Sequence, residues 1–247
     1  MSESTKTYTG EAVTVTWDRA RCLHSDECVR RLSAVFDTGR RPWVLPDAAA
    51  ADAVAEAVQH YPSGALHFER NDGGPAETPP GENVLLLNAD GPLHVRGNVE
   101  IMLPDGSLLT RDTRLALCRC GQSANKPFCD NSHLRVGFTA PDTAQAGPRL
   151  GEFDPEAGSV LKITPRPNRS LLVQGNAEIR NRAGTGAASG EGVDQHGRGP
   201  AVLDVNLEEG DAGRAAGHGA ASRLTGGEHG RETAADAVNG KDSGNGR

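Results

Sequence analysis

The chain has 247 residues, 36% of them hydrophobic and 24% charged, with a formal net charge of −7. That length suits one or two domains of a soluble protein. The acidic balance argues against nucleic acid and against an anionic membrane surface as partners, because both need a basic face. No apolar run approaches a bilayer span, Val84 to Leu87 being about the longest aliphatic stretch. The polar start, MSESTKTYTG, does not read as a secretory signal, so a cytoplasmic location is expected.

Residues 8 to 17 read as a strand, with Val13, Val15 and Trp17 alternating against polar neighbours. Arg19 to Phe36 reads as helical after Cys22, and Thr38-Gly39 ends it. Asp47 is expected to cap a second helix from Ala48 to about His60, which Pro62-Ser63-Gly64 stops. Ala65 to Glu69 returns as a strand, completing a small α+β unit over residues 8–70. Residues 71–82 are a linker by composition.

A β-rich segment follows over residues 83–140. Its expected strands are Val84 to Leu87, Leu93 to Val95, Val99 to Met102 and Leu108-Leu109, with turns at Asp90-Gly91, Gly97-Asn98 and Asp105-Gly106. Residues 93–101 recur at 171–179 with an offset of 78 residues, which points to a duplicated β unit and makes 141–181 a degenerate second repeat. Residues 182–247 hold 16 of the 31 glycines and no aromatic residue or cysteine. Such a segment cannot bury enough apolar surface to offset its ordering entropy, so a disordered tail is expected there. Its histidines, His196, His218 and His229, are scattered.

The five cysteines are Cys22, Cys28, Cys118, Cys120 and Cys129. An odd count without an export signal argues against a disulfide framework and leaves thiols available as metal ligands. Cys118, Cys120, Cys129 and His133 follow the spacing C-x-C-x8-C-x3-H, a four-ligand set within 16 residues. Asp130 is placed to cap a short helix with His133 in its first turn, its amides and dipole facing the ligand sulfurs. Ser123 and Asn125 are candidates for hydrogen bonds to the same site. Shifted by the repeat offset, the four ligands fall on His196, Arg198, Leu207 and Asp211, so the second copy carries no equivalent site.

This stretch, with its wording Asn125-Lys-Pro-Phe-Cys-Asp130, resembles the CDGSH iron-sulfur family. The resemblance implies a 2Fe-2S cluster held by Cys118, Cys120, Cys129 and His133. Asn131 stands where that family usually has glycine, and asparagine is the side chain that best tolerates positive φ. A histidine in place of a thiolate raises the cluster's potential, and its protonation is expected to make the cluster acid-labile. The other reading of the ligands is a zinc-stabilised interaction module without a redox role.

The first unit resembles the divergent mono-cluster ferredoxin domain, through Cys22-Leu-His-Ser-Asp-Glu-Cys28, Arg41-Pro-Trp43 and Pro62-Ser-Gly-Ala-Leu66. That family has a cysteine where this chain has Tyr61. Three readings stay open: His24 or His60 replaces the missing ligand of a second cluster, the domain folds without a cluster, or Cys22, Cys28 and a histidine hold another metal such as zinc. The whole is expected to be an α+β iron-sulfur protein serving electron transfer, redox sensing or cluster transfer, with a redox partner or cluster acceptor. No phosphate loop, nucleophile elbow or acid–base pair marks an enzyme. The second repeat is positioned to complete a pseudo-dimer within one chain.

Overall fold

A computed structural model describes residues 4–145, 160–166, 171–184, 188–189, 198–200 and 203–205. The chain opens with a hairpin rather than a single strand. β1 (Thr5–Thr9) and β2 (Val13–Asp18) pair antiparallel around the turn at Gly10, whose N–H donates to Val13 O at 3.0 Å. Val13 and Val15 point into the core, as their alternation requires.

The helix expected over Arg19 to Phe36 is far shorter. A 3₁₀ turn covers Arg19–Arg21, and α1 spans only Glu27–Arg31. His24 and Asp26 lie in the left-handed region, with φ of 51° and 57°, so no helix can cross Cys22 to Asp26. Beyond α1 the Arg40 guanidinium donates to the carbonyls of Ala34 and Val35. The chain then closes a small loop on the Phe36–Val44 bridge.

α2 (Ala51–Gln59) buries Val54, Ala55, Ala57 and Val58, the face its periodicity predicts. Asp47 does not cap it. Asp47 lies in a 3₁₀ turn over Pro46–Ala48, and its carboxylate accepts the Glu11 N–H at 2.7 Å. β3 (Leu66–Arg70) completes a three-stranded sheet in the order β1-β2-β3, over a core of Val35, Phe36, Tyr61 and Phe68 among others.

The second part is built from β4 (Val84–Leu87), β5 (Leu93–Met102), β6 (Leu108–Leu117), α3 (Ser132–Arg135) and β7 (Ala144–Gln145). β8 (Val160–Pro165), β9 (Leu171–Gln174), β10 (Asn176–Asn181), β11 (Ala188–Ser189), β12 (Arg198–Pro200) and β13 (Leu203–Val205) follow. β5 is one strand, where two strands and a Gly97-Asn98 turn are expected. The pairing with β6 slips between Arg96 and Val99, so Gly97 marks a bulge. A Cβ at Gly97 would overlap the Asn83 side chain, whose oxygen accepts the Asn98 N–H at 2.9 Å.

The 78-residue repeat is also a repeat of pairing. Leu85 opposes Val95 in β4–β5, and Ile163 opposes Val173 in β8–β9. The far half of β5 pairs in parallel with β8, Asn98 opposite Val160, while β10 pairs in parallel with β4, Glu178 opposite Val84. The offset converts the β5–β8 register into the β4–β10 register, so each copy lends its first strand to the other's long strand. Leu85, Val95, Ile101, Ile163, Val173 and Ile179 share one core with other aliphatic side chains of both copies.

β12 and β13 lie inside the segment expected to be tail, yet pair antiparallel with β10 and β9. They are the second copy's counterpart of β6, so that copy extends past residue 181. Residues 1–212 form one compact unit, and 213–247 lie outside the described residues. The same holds for His196, His218 and His229. Among the described residues no helix is long and apolar enough to cross a membrane.

The two parts meet where β3 lies near β6. Asp112 accepts Arg21 at 2.6 Å, and Glu77 accepts Arg114 at 2.7 Å. His67 lies between both carboxylates, 3.1 Å from Glu77 and 3.5 Å from Asp112. Arg114 also donates to Leu66 O, and Arg21 to Ser63 O. Gly64, at φ 64°, lies so close to the Arg114 carbonyl that any Cβ would collide with it. The linker is therefore not free along its length, because Glu77 is locked into this junction.

Candidate metal centre

β6 ends at Leu117 and hands the chain directly to Cys118. The loop then returns on itself: Cys118 N–H donates to Pro127 O, and Cys129 N–H to Ala116 O at 2.8 Å. This backbone clasp, with the Leu117–Phe128 bridge, brings Cys129 back beside Cys118 and Cys120. Ser123 stiffens the loop by donating to Phe128 O at 2.6 Å and accepting Asn125 N–H. Phe138 packs on Cys118 and Cys120, and all four candidate ligands are buried.

Asp130 behaves largely as its position predicts. Its carboxylate accepts the N–H of Ser132 at the start of α3 and of Ala124 across the loop, both at 2.9 Å. Burial alone would raise its pKa, but these hydrogen bonds hold it down to about 2. His133 stands in the first turn of α3. The expected dipole contribution is small, however, because α3 has only four residues. The Asn131 N–H, 3.4 Å from Cys129 Sγ, supplies an amide contact to that sulfur.

The ligand atoms fall into two pairs. Cys118 Sγ and Cys120 Sγ are 3.8 Å apart, and Cys129 Sγ and His133 Nδ1 are 3.5 Å apart. Bonds of about 2.3 Å to sulfur and about 2.0 Å to nitrogen, at tetrahedral angles, give ligand–ligand edges of about 3.8 and 3.5 Å. Each pair therefore spans one edge of a tetrahedral metal. Among the described residues no three His, Cys, Asp or Glu side chains gather to hold a single ion. Both spacings suit tetrahedral metal ligation by thiolate and imidazole.

Burial shifts the protonation of the ligands in opposite senses for metal binding. Burial pushes the Cys129 thiol up to about 11 and also raises Cys120, helped by Cys118 beside it. Metal binding must therefore displace the protons of Cys120 and Cys129. Burial lowers the His133 pKa, which keeps its imidazole neutral and able to ligate.

Asn125 and Asn131 are turned away from the sulfurs. Asn125 donates to Ala20 O and Asn131 to Leu23 O, each at 2.8 Å. Arg21 lies over the Phe128 ring, 4.8 Å from its centre. The ligand loop is thus tied to the Cys22 loop of the first part. These contacts link residues about a hundred positions apart, and no local pattern in the sequence announces them.

The Cys22/Cys28 site is different. Cys22 and Cys28 line one cavity with His24 and Tyr61. His60 lines another cavity and turns its Nδ1 to the Glu56 carbonyl, so it does not join the two thiols. Tyr61 is buried, with its hydroxyl 3.2 Å from Cys22 Sγ and accepting the Leu23 N–H at 3.1 Å. Ligand atoms on different irons of a cubane stand about 6 Å apart. The phenol oxygen, by contrast, touches the Cys22 sulfur directly. This donor set does not fit a 4Fe-4S cluster.

Residues 8–71 match the family described as divergent 4Fe-4S mono-cluster. Residues 90–134 match the iron-binding zinc finger of CDGSH type. The uncharacterized protein YjdI of Escherichia coli strain K12 is 39% identical over 61 residues, covering 25% of this chain and 80% of that protein. YjdI of Escherichia coli O157:H7 matches to the same extent. No solved structure matches the chain significantly. The CDGSH domain implies that an iron-sulfur cluster is bound. The chain belongs to the divergent 4Fe-4S mono-cluster family through residues 8–71, and carries a CDGSH-type iron-binding domain behind it.

Proposed function

We propose that Cys118, Cys120, Cys129 and His133 hold a 2Fe-2S cluster, and that the chain exchanges single electrons, or the cluster itself, with partner proteins. The observation that carries this reading is the gathering of the C-x-C-x8-C-x3-H ligands into two pairs, with ligand atoms 3.8 and 3.5 Å apart as tetrahedral metal ligation requires, inside a CDGSH-type iron-binding domain. When bound, the cluster supplies one-electron exchange. His133 contributes a neutral donor in place of a thiolate, which removes one negative charge and raises the potential relative to an all-cysteine set. Phe138 and the loop clasp shield the sulfurs from water.

A carrier also needs a partner-facing edge. Leu134, next to His133, is 72% exposed, and Val136 is exposed as well. This apolar edge beside a ligand suits transient contact with another protein. The polar groups around the ligands are otherwise committed: Asp130 to two amides, Ser123 to Phe128 O, and Ser132 to Arg135. These groups hold the ligand loop in place.

The test is anaerobic purification followed by a visible spectrum and assays for iron, sulfide and zinc. About two irons and two sulfides per chain are expected, with colour lost in Cys118→Ser and Cys129→Ser. A colourless protein carrying one zinc would overturn the reading.

A further inference from the structure

The proposed function leaves Cys22, Cys28 and the cavity around them unused. That cavity has a volume of about 530 Å³, within the range of small-molecule sites. Its walls are largely aromatic. Trp43 packs edge-on against Trp17 and Tyr8, with ring centres 5.0 and 6.2 Å apart, and all three rings line the space.

The cavity is also positively charged. Lys6, Arg19 and Arg41 line it and are exposed at its edge, and Asp26 is the carboxylate among the lining residues. The buried Cys28 thiol adds no compensating negative charge. Burial pushes Cys28 up to about 11, and Cys22 shares a hydrogen bond with the Tyr61 hydroxyl. A surplus of cations around one cavity is conspicuous in a chain whose net charge is −7.

Tyr61 decides what this cavity accepts. A tyrosine carries its oxygen about 4 Å further from Cα than a cysteine carries its sulfur. Here that oxygen fills the space between position 61 and Cys22 and is held there by the Leu23 N–H. An iron-sulfur cubane is excluded, while the aromatic walls and cationic edge remain.

We propose that this cavity binds a small organic anion with a flat ring system, in place of the cluster that the family's description names. The ring would lie among Tyr8, Trp17 and Trp43, and the anionic group would meet Arg19 and Lys6. Aromatic stacking and charge attraction are both available only to a ligand that has both parts.

Trp17 and Trp43 are the chain's only two tryptophans, and both line the cavity, so their fluorescence reports occupancy directly. The probes are 2-naphthoate, the neutral 2-naphthalenemethanol and ring-free acetate, titrated into the full chain, with calorimetry as a second readout. Saturable binding of 2-naphthoate is expected, at least about tenfold tighter than either control. Arg19→Gln, a surface change, should weaken it several-fold. Equal binding of the neutral alcohol, no saturation, or an unaffected Arg19→Gln variant would overturn the proposal.

A second arm tests the plug. After anaerobic reconstitution, Tyr61→Cys should gain about three or four irons over the wild type and lose naphthoate binding. Wild-type protein that takes up this extra iron itself would refute the exclusion of the cluster. The CDGSH cluster is read separately, as the two irons common to both chains, so failure of one reading does not mimic failure of the other.

Discussion

Asn131 carries two roles that glycine cannot combine. Its φ of 66° needs a residue at ease in the left-handed region, and its side-chain amide reaches Leu23 O at 2.8 Å. Glycine would keep the turn and lose the bond. Asn131→Gly therefore isolates the tie between the ligand loop and the first part of the chain. Losing one such hydrogen bond should cost about 1 kcal/mol. Because Asn131 lies between Cys129 and His133, the loop should also open more often, and the visible colour should bleach about fivefold faster at fixed pH. Asn131→Ala should be worse, adding backbone strain of about 1 kcal/mol. A Gly variant that bleaches at the wild-type rate would show that the first part does not steady the centre. Tyr61 illustrates the same point about single positions. With a phenol rather than a third thiol beside Cys22, the donor set does not fit a cubane.

At the scale of elements, the junction between β3 and β6 gives the chain a titratable seam. Burial alone would lower the His67 pKa, but its contacts with Asp112 and Glu77 outweigh that and raise it to about 9. Despite their own burial, Asp112 and Glu77 are held below the usual carboxylate range, by His67 with Arg21 and by His67 with Arg114 respectively. A histidine whose folded pKa is raised stabilises the fold fully below its unfolded value of about 6.5, and that stabilisation is lost as pH rises through 9. The carboxylates act in the opposite sense, their contribution falling away as pH drops below about 4. The wild-type melting temperature should thus fall more between pH 7 and 10 than that of His67→Gln; parallel pH profiles would remove His67 from the seam. None of this seam was legible in the sequence, because Arg21, His67, Glu77, Asp112 and Arg114 obey no local period. What was legible is local: the alternation of Val13 and Val15, the apolar face of α2, and the four-ligand motif, whose spacing sets its own loop. The helix expected after Cys22 failed because apolar spacing does not reveal left-handed residues at His24 and Asp26. Gly97-Asn98 read as a turn because the Asn83 side chain that lets β5 run through it comes from just before β4, far from Gly97 in the local pattern.

At the scale of the molecule, the repeat explains why one chain can stand in for two. β4 and β8 lie between the two long strands, each antiparallel to its own copy's strand and parallel to the other's. The third strand of the second copy escaped sequence reading, because its surroundings are glycine-rich and its return is displaced. Leu93 pairs with Leu117, so the offset places Leu171 opposite Gln195; it pairs instead with Val205, ten residues further on. With that displacement, the counterparts of the four ligands become Asn206, Glu208, Gly217 and Ala221, again with no thiol or imidazole. The second copy therefore supplies strands without supplying a metal centre. Its contribution is to cover the edges that β4 and β5 would otherwise expose, along with buried Leu85, Val99 and Ile101. Open edges of that kind recruit a second chain. The full chain, whose β4 and β5 edges are paired internally, should be a monomer by light scattering. A chain ended after residue 145 lacks β8 to β10 and should dimerise or aggregate at the same concentration. A full chain that scatters as a stable dimer would mean that the internal copy does not replace a partner, and a monomeric truncated chain would mean that these edges need no cover.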